Sequence, residues 1–163
     1  MMLTISVLLC AMLALSGSAE VVSPRFKHCP SPLDWHRYGN RLFHFVNTPV
    51  TWVQAEHHCQ NMGANLASVH SLGEEAFLQD LIKRTTGSST VAWIGGNGAT
   101  ETSAWFWADG SRFAFDHWNE GEPNNSGDEK CIAMNWADEH HWNDLNCGTQ
   151  HCFVCAIKPC NPI

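Results

Sequence analysis

Between Trp52 and Ile82 the apolar residues recur every three to four positions, and beyond Gly87 they fall into short runs divided by turn-forming residues. The spacing of Trp52, Ala55, Cys59 and Met62 predicts an amphipathic helix over 52–62, entered from Thr48-Pro49 and stopped at Gly63. A second helix is predicted after Ser71, which as N-cap with Glu74 three residues on has the composition of a capping box. Ala76, Phe77, Leu78, Leu81 and Ile82 supply its apolar face, and Gly87 ends it. The later runs predict strands over 91–94, 104–107, 131–136 and 152–157. Helices followed by strands predict an α+β domain. The stretch from Gly95 to Cys131 has little periodicity and predicts a long ordered loop, a feature that usually carries function. Trp93, Trp105, Trp107 and Trp118 would pin it to the core, each ring burying a large apolar area.

Residues 1–19 carry no charged side chain, and Val7–Leu15 is an apolar run ahead of Gly17-Ser18-Ala19. That reads as a secretory signal peptide cut before Glu20, although a basic leading segment is missing. The run is too short to span a bilayer. The expectation is a secreted, extracellular protein with a short tail over 20–28 and one domain over 29–160. A net charge of −7 argues against nucleic acid or an anionic membrane as the main partner. Of the eight cysteines, Cys10 lies in the signal, which leaves an odd number in an oxidising compartment. Zinc at Cys147, His151, Cys152 and Cys155 is the weaker reading beside disulfides. No nucleophile motif, HExxH or phosphate loop occurs, so an enzyme is not expected.

The densest chemistry lies in Glu122-Pro123-Asn124, Glu129 and Trp142-Asn143-Asp144. Calcium takes about six to eight oxygen ligands, and Glu122, Asn124, Glu129, Asn143 and Asp144 would supply about five, leaving positions open to a ligand. The same groups suit a sugar with two neighbouring hydroxyls: Glu122 and Glu129 accept hydroxyl protons, while Asn124 and Asn143 offer amide donors. His117, Trp118, His140 and His141 flank the two motifs and are candidates for contact with the sugar ring, the histidines more readily read as solvated loop residues. Asn124-Asn125-Ser126 also forms a glycosylation sequon on a candidate ligand; the ligand role is the favoured use.

Taken in order, Cys29-Pro30, Trp35, Tyr38-Gly39, Cys59, Trp93-Ile94-Gly95-Gly96, Trp107, Asp109-Gly110, Glu122-Pro123-Asn124, Cys131, Trp142-Asn143-Asp144, Cys147 and Cys155 resemble the C-type lectin-like domain family over nearly the whole mature chain. The resemblance implies two helices flanking short antiparallel sheets, a long calcium-binding loop and disulfides Cys59–Cys155 and Cys131–Cys147. It implies a cis bond before Pro123, Ca²⁺ as cofactor with one principal ion, and glycans of the mannose, N-acetylglucosamine or fucose type as partners, since Glu-Pro-Asn is similar to mannose-type sites. The family's long form has a cysteine near the position of Leu42, so Cys29 lacks that partner and Cys29, Cys152 and Cys160 stay unassigned. A rearranged link such as Cys29 to Cys160, or a disulfide-linked oligomer, are both open. Type II antifreeze proteins of fish and protein-binding venom relatives use a similar domain, and they give the alternative functions: ice binding, or protein binding without sugar.

Overall fold

The computed structural model describes residues 34–98 and 104–157. Residues 1–33, 99–103 and 158–163 lie outside it, and with them the expected signal, the tail, Cys29 and Cys160.

The described chain begins with a hairpin that the periodicity reading did not include. Strands β1 (His36–Tyr38) and β2 (Arg41–Val50) pair antiparallel across Gly39, whose φ of 56° suits a residue without a Cβ. The signal was present in β2, where Arg41, Phe43 and Phe45 alternate inward. Thr48-Pro49 belongs to this strand, so helix α1 (Trp52–Asn61) begins at Trp52 as the spacing predicts but is entered from Thr51 and not from Thr48-Pro49. Its cap is Thr51, whose hydroxyl accepts from Gln54 N–H at 3.4 Å while Gln54 Oε1 accepts from Thr51 N–H at 3.1 Å. This is the complete capping box. Helix α2 (Leu72–Thr86) has half of one: Ser71 Oγ accepts from Glu74 N–H at 3.2 Å, but the Glu74 carboxylate accepts from His70 N–H instead. Gly87, with φ 79°, closes α2 by donating to Lys83 O.

The remaining strands are β3 (Asn65–Leu66), β4 (Ala92–Gly98), β5 (Trp105–Trp107), β6 (Glu129–Trp136), β7 (His141–Asn146) and β8 (His151–Ile157). They join one sheet in the order β1-β2-β8-β4-β6-β7, with β3 on β8 and β5 on β4. The sheet is mixed where antiparallel pairing was expected. Strand β8 enters between β2 and β4, runs antiparallel to β2 from Leu42↔Ile157 to Val46↔Phe153, and is thereby parallel to β4.

Two apolar clusters flank the sheet. Phe43, Leu78, Ile82, Ile94, Met134, Trp142 and Val154 form one with α2; Ala55, Leu66, Trp93, Ala133 and Phe153 form the other with α1. Trp93 and Trp142 are 0% exposed, the largest side chains sealed in this way. At Gly95 a Cβ would lie 2.6 Å from Leu66 O and at Gly96 2.2 Å from Ile132 Cδ1, so β4 packs closely only because these positions lack side chains. Disulfide Cys59–Cys155 ties α1 to β8 across 96 residues, and Cys131–Cys147 ties β6 to the turn after β7 across 16. Constraining such loops in the unfolded chain is worth about 4.7 and about 3 kcal/mol. These pairings exclude zinc at Cys147, His151, Cys152 and Cys155. Cys152 is buried, has no disulfide partner among the described residues, and lies 3.2 Å from Asn47 Oδ1, with burial raising its thiol pKa.

Candidate functional site

Three segments meet at one end of the sheet: the irregular stretch 119–128, the start of β6 and the middle of β7. The loop is stitched to β7 immediately before the Asn143-Asp144 pair. Trp142 N–H donates to His117 O at 2.9 Å, Asn119 N–H donates to Trp142 O at 2.9 Å, and Glu122 N–H donates to Asn119 O at 3.0 Å. Asn119, 9% exposed, also reaches the Trp136 and Trp142 carbonyls with its side-chain amide. No motif or periodicity marks Asn119, so sequence reasoning missed this hinge between loop and sheet.

Past the hinge the Glu122–Pro123 peptide bond is cis. Asp144, 0% exposed, accepts from Asn124 N–H at 3.0 Å and from Asn125 N–H at 2.8 Å, one donor to each oxygen. Glu122 Oε2 also accepts from Asn124 N–H at 3.0 Å, and Asn124 Oδ1 accepts from Ser126 N–H at 2.7 Å. One buried carboxylate on a strand therefore organises the tripeptide from 20 residues away. The strands predicted from sequence leave out Asn143 and Asp144; they lie in β7, at Ala133↔Asn143 and Ile132↔Asp144.

The electrostatics of the cluster are unbalanced. Burial first, and then contact with Asp144, raise the Glu122 carboxyl above the ordinary carboxylate range, against the lowering effect of the Asn124 N–H. Burial and the Asp144 charge likewise raise Glu129. Lys130, next to Glu129 in the chain, is spent on Asn125 Oδ1 at 3.2 Å. Glu129 Oε2 and Asn143 Oδ1 are buried acceptors with no donor. Such orphaned oxygens are costly in a low-dielectric site and are the donor type that hard cations take. The donor set of Glu122, Asn124, Glu129, Asn143 and Asp144 thus fits Ca²⁺ in chemistry. Among the described residues no three His, Cys, Asp or Glu side chains converge to hold a metal without the amides, and both Asp144 oxygens serve the loop.

The flanking candidates point into the scaffold. His117 Nδ1 lies 2.7 Å from Glu75 Oε2 and its ring packs, tilted, against His141 with centroids 3.7 Å apart. Trp118 packs on Trp105 and Trp142, and the His140 carbonyl accepts from Gln79.

A family model described as the lectin C-type domain matches residues 48–157. Ladderlectin of Oncorhynchus mykiss is 44% identical, covering 90% of this chain and 88% of that protein. The galactose-specific lectin nattectin of Thalassophryne nattereri is 35% identical over 88% of this chain and 89% of its own. The solved structure of herring type II antifreeze protein superposes with a TM-score of 0.74 at 35% identity, covering 80% of this chain and all of that one.

Proposed function

The chain belongs to the C-type lectin domain family, and on that premise we propose that it is a secreted, calcium-dependent lectin for sugars of the mannose type. The observation that carries this reading is the pairing of a fully buried Asp144, which clamps the Glu122-Pro123-Asn124 loop, with the donorless oxygens of Glu129 and Asn143. Glu122, Asn124, Glu129, Asn143 and Asp144 would hold the ion. When bound, Ca²⁺ supplies a Lewis-acidic centre that takes a lone pair from each of two neighbouring sugar hydroxyls. The Glu122 and Glu129 carboxylates would accept hydrogen bonds from the hydroxyls, and the Asn124 and Asn143 amides would donate to the hydroxyl oxygens. The buried Asn119 hinge keeps the two halves in register by joining the loop to the backbone of β7.

Acid-before-amide order in Glu122-Pro123-Asn124 supports mannose, N-acetylglucosamine or fucose over galactose, so the specificity proposed here differs from that named for nattectin. Because one shallow site binds weakly, function in recognising microbial glycans would require several linked sites. The test is retention on immobilised mannose with calcium and its loss with EDTA. The double substitution Glu122→Gln, Asn124→Asp should move retention from mannose to galactose. Mannose retention by that variant would refute the specificity argument. Ice binding on the same fold is the second reading, supported by the likeness to the herring protein; thermal hysteresis without any sugar binding would establish it instead.

A further inference from the structure

The loop proposed to carry the ion also carries the sequon Asn124-Asn125-Ser126. We propose that Asn124 receives an N-linked glycan on a fraction of the molecules during synthesis, and that the glycan removes those molecules from the calcium- and sugar-binding pool. The first half of this statement rests on the chain entering the secretory pathway, and the second on the lectin reading as well.

Access is the first argument. Asn124, Asn125 and Ser126 are all exposed, they lie in a stretch without helix or strand, and no proline separates acceptor from hydroxyl. Asn124 Oδ1 is engaged by Ser126 N–H, an Asx turn that holds the acceptor amide and the Ser126 residue together at the surface. Timing is the second. What clamps this loop is Asp144, 20 residues later in the chain, and the Cys147 end of the Cys131–Cys147 bridge comes later still. At about 5–20 residues per second, synthesis leaves Asn124 unclamped for roughly 1–4 s before Asp144 exists. Transfer and folding therefore compete for the same residue, and competition yields a mixed population.

The chemistry balances with the donor of the secretory pathway, a lipid-diphosphate-linked oligosaccharide. Asn124 Nδ2 attacks the anomeric carbon, a C–N bond forms, the C–O bond to the diphosphate breaks, and Nδ2 gives up one proton to a base of the transferase. The product keeps one amide N–H where there were two and places a sugar ring at the mouth beside Glu122. Hydroxyls of an external sugar would then find both a donor and the approach path taken.

The test uses the full chain secreted from eukaryotic cells, analysed by intact mass with and without peptide N-glycosidase, and fractionated on immobilised mannose with calcium. Ser126→Ala is the control: it deletes the sequon but keeps Asn124 and the backbone N–H at 126. We expect two mass classes in the wild type, the heavier unretained and giving no heat on calcium titration, and a single light, retained class in Ser126→Ala. Mild reductant during expression should enlarge the heavy class, because Cys131–Cys147 closes late. A single unmodified mass in the wild type would overturn the modification. A heavy class that binds calcium and column as the light one does would overturn the blocking. Failure of Ser126→Ala to bind calcium would sink the lectin reading and the blocking with it, while the mass result still decides the modification.

Discussion

Two polar clusters, one around β2 and α2 and the other around β6 and β7, both bury carboxylates and have opposite electrostatic character. In the first, Arg41 and Glu74 pair at 2.7 Å with side chains 9% and 6% exposed, and the remaining polar atoms are shared out in turn. Arg41 donates to Ser68 O and Ser68 Oγ, Ser68 Oγ donates to Asp109 Oδ2, and Glu74 Oε2 accepts from His70 N–H. The guanidinium also lies over the Phe43 ring. In the second, Glu122 and Glu129 each feel the charge of Asp144, two acceptors are orphaned, and two carboxyls are raised. A closed network is a structural device; an open one with excess negative charge is suited to something from outside.

The sharpest way to break the comparison is Arg41→Ala, which strands a buried Glu74 carboxylate. Chemical denaturation should register a loss of about 3–5 kcal/mol, with calcium affinity of the folded protein unchanged. The open cluster should respond the other way round. Calcium at about 100 times its dissociation constant should add about 2.7 kcal/mol of stability, removable by EDTA; calorimetric unfolding with Asp144→Asn should show that gain abolished.

A smaller effect sharpens the contrast by pH. Burial alone would raise Asp109, but hydrogen bonds from Ser111 and Ser68 outweigh it and hold its carboxyl below the usual range. A depressed folded value means that its contribution is present above the unfolded value and is lost as pH falls through the folded one. Acid titration of stability in Asp109→Asn should lack that part of the loss, less than about 1 kcal/mol because Asp109 is exposed. Smallest and indifferent to both clusters is Gln54→Ala, which opens the Thr51 capping box but leaves the N-cap itself; less than about 0.5 kcal/mol should go from thermal stability, with no change in calcium titration.

Both helices were legible in the sequence because their apolar periodicity and their stops at Gly63 and Gly87 act within one element. The start of helix α1 at Trp52 was legible too, but its entrance was placed at Thr48-Pro49 when the cap is Thr51, because Thr48-Pro49 belongs to β2, which pairs with β8. Strand β7 was hidden since Trp142, Asn143, Asp144 and Leu145 are all buried, and a strand covered on both faces has no alternation. In the site, the motif residues announce their chemistry, whereas the parts that place them do not. Asn119 and the Glu75–His117 contact act across 17 to 42 residues, through distances that no local pattern encodes.

Strand β8 begins at His151 yet sits in the interior of the sheet, flanked by β2 and β4. A premature stop anywhere upstream of it would leave two facing rows of unsatisfied amides and carbonyls with nothing to zip them together. Shortened translation products should therefore be clumping hazards for the cell's quality control and not weaker versions of the whole. Tags or fusions placed after Ile157 would pull on the keystone of the arch, while those ahead of β1 would tug only at its outermost stone.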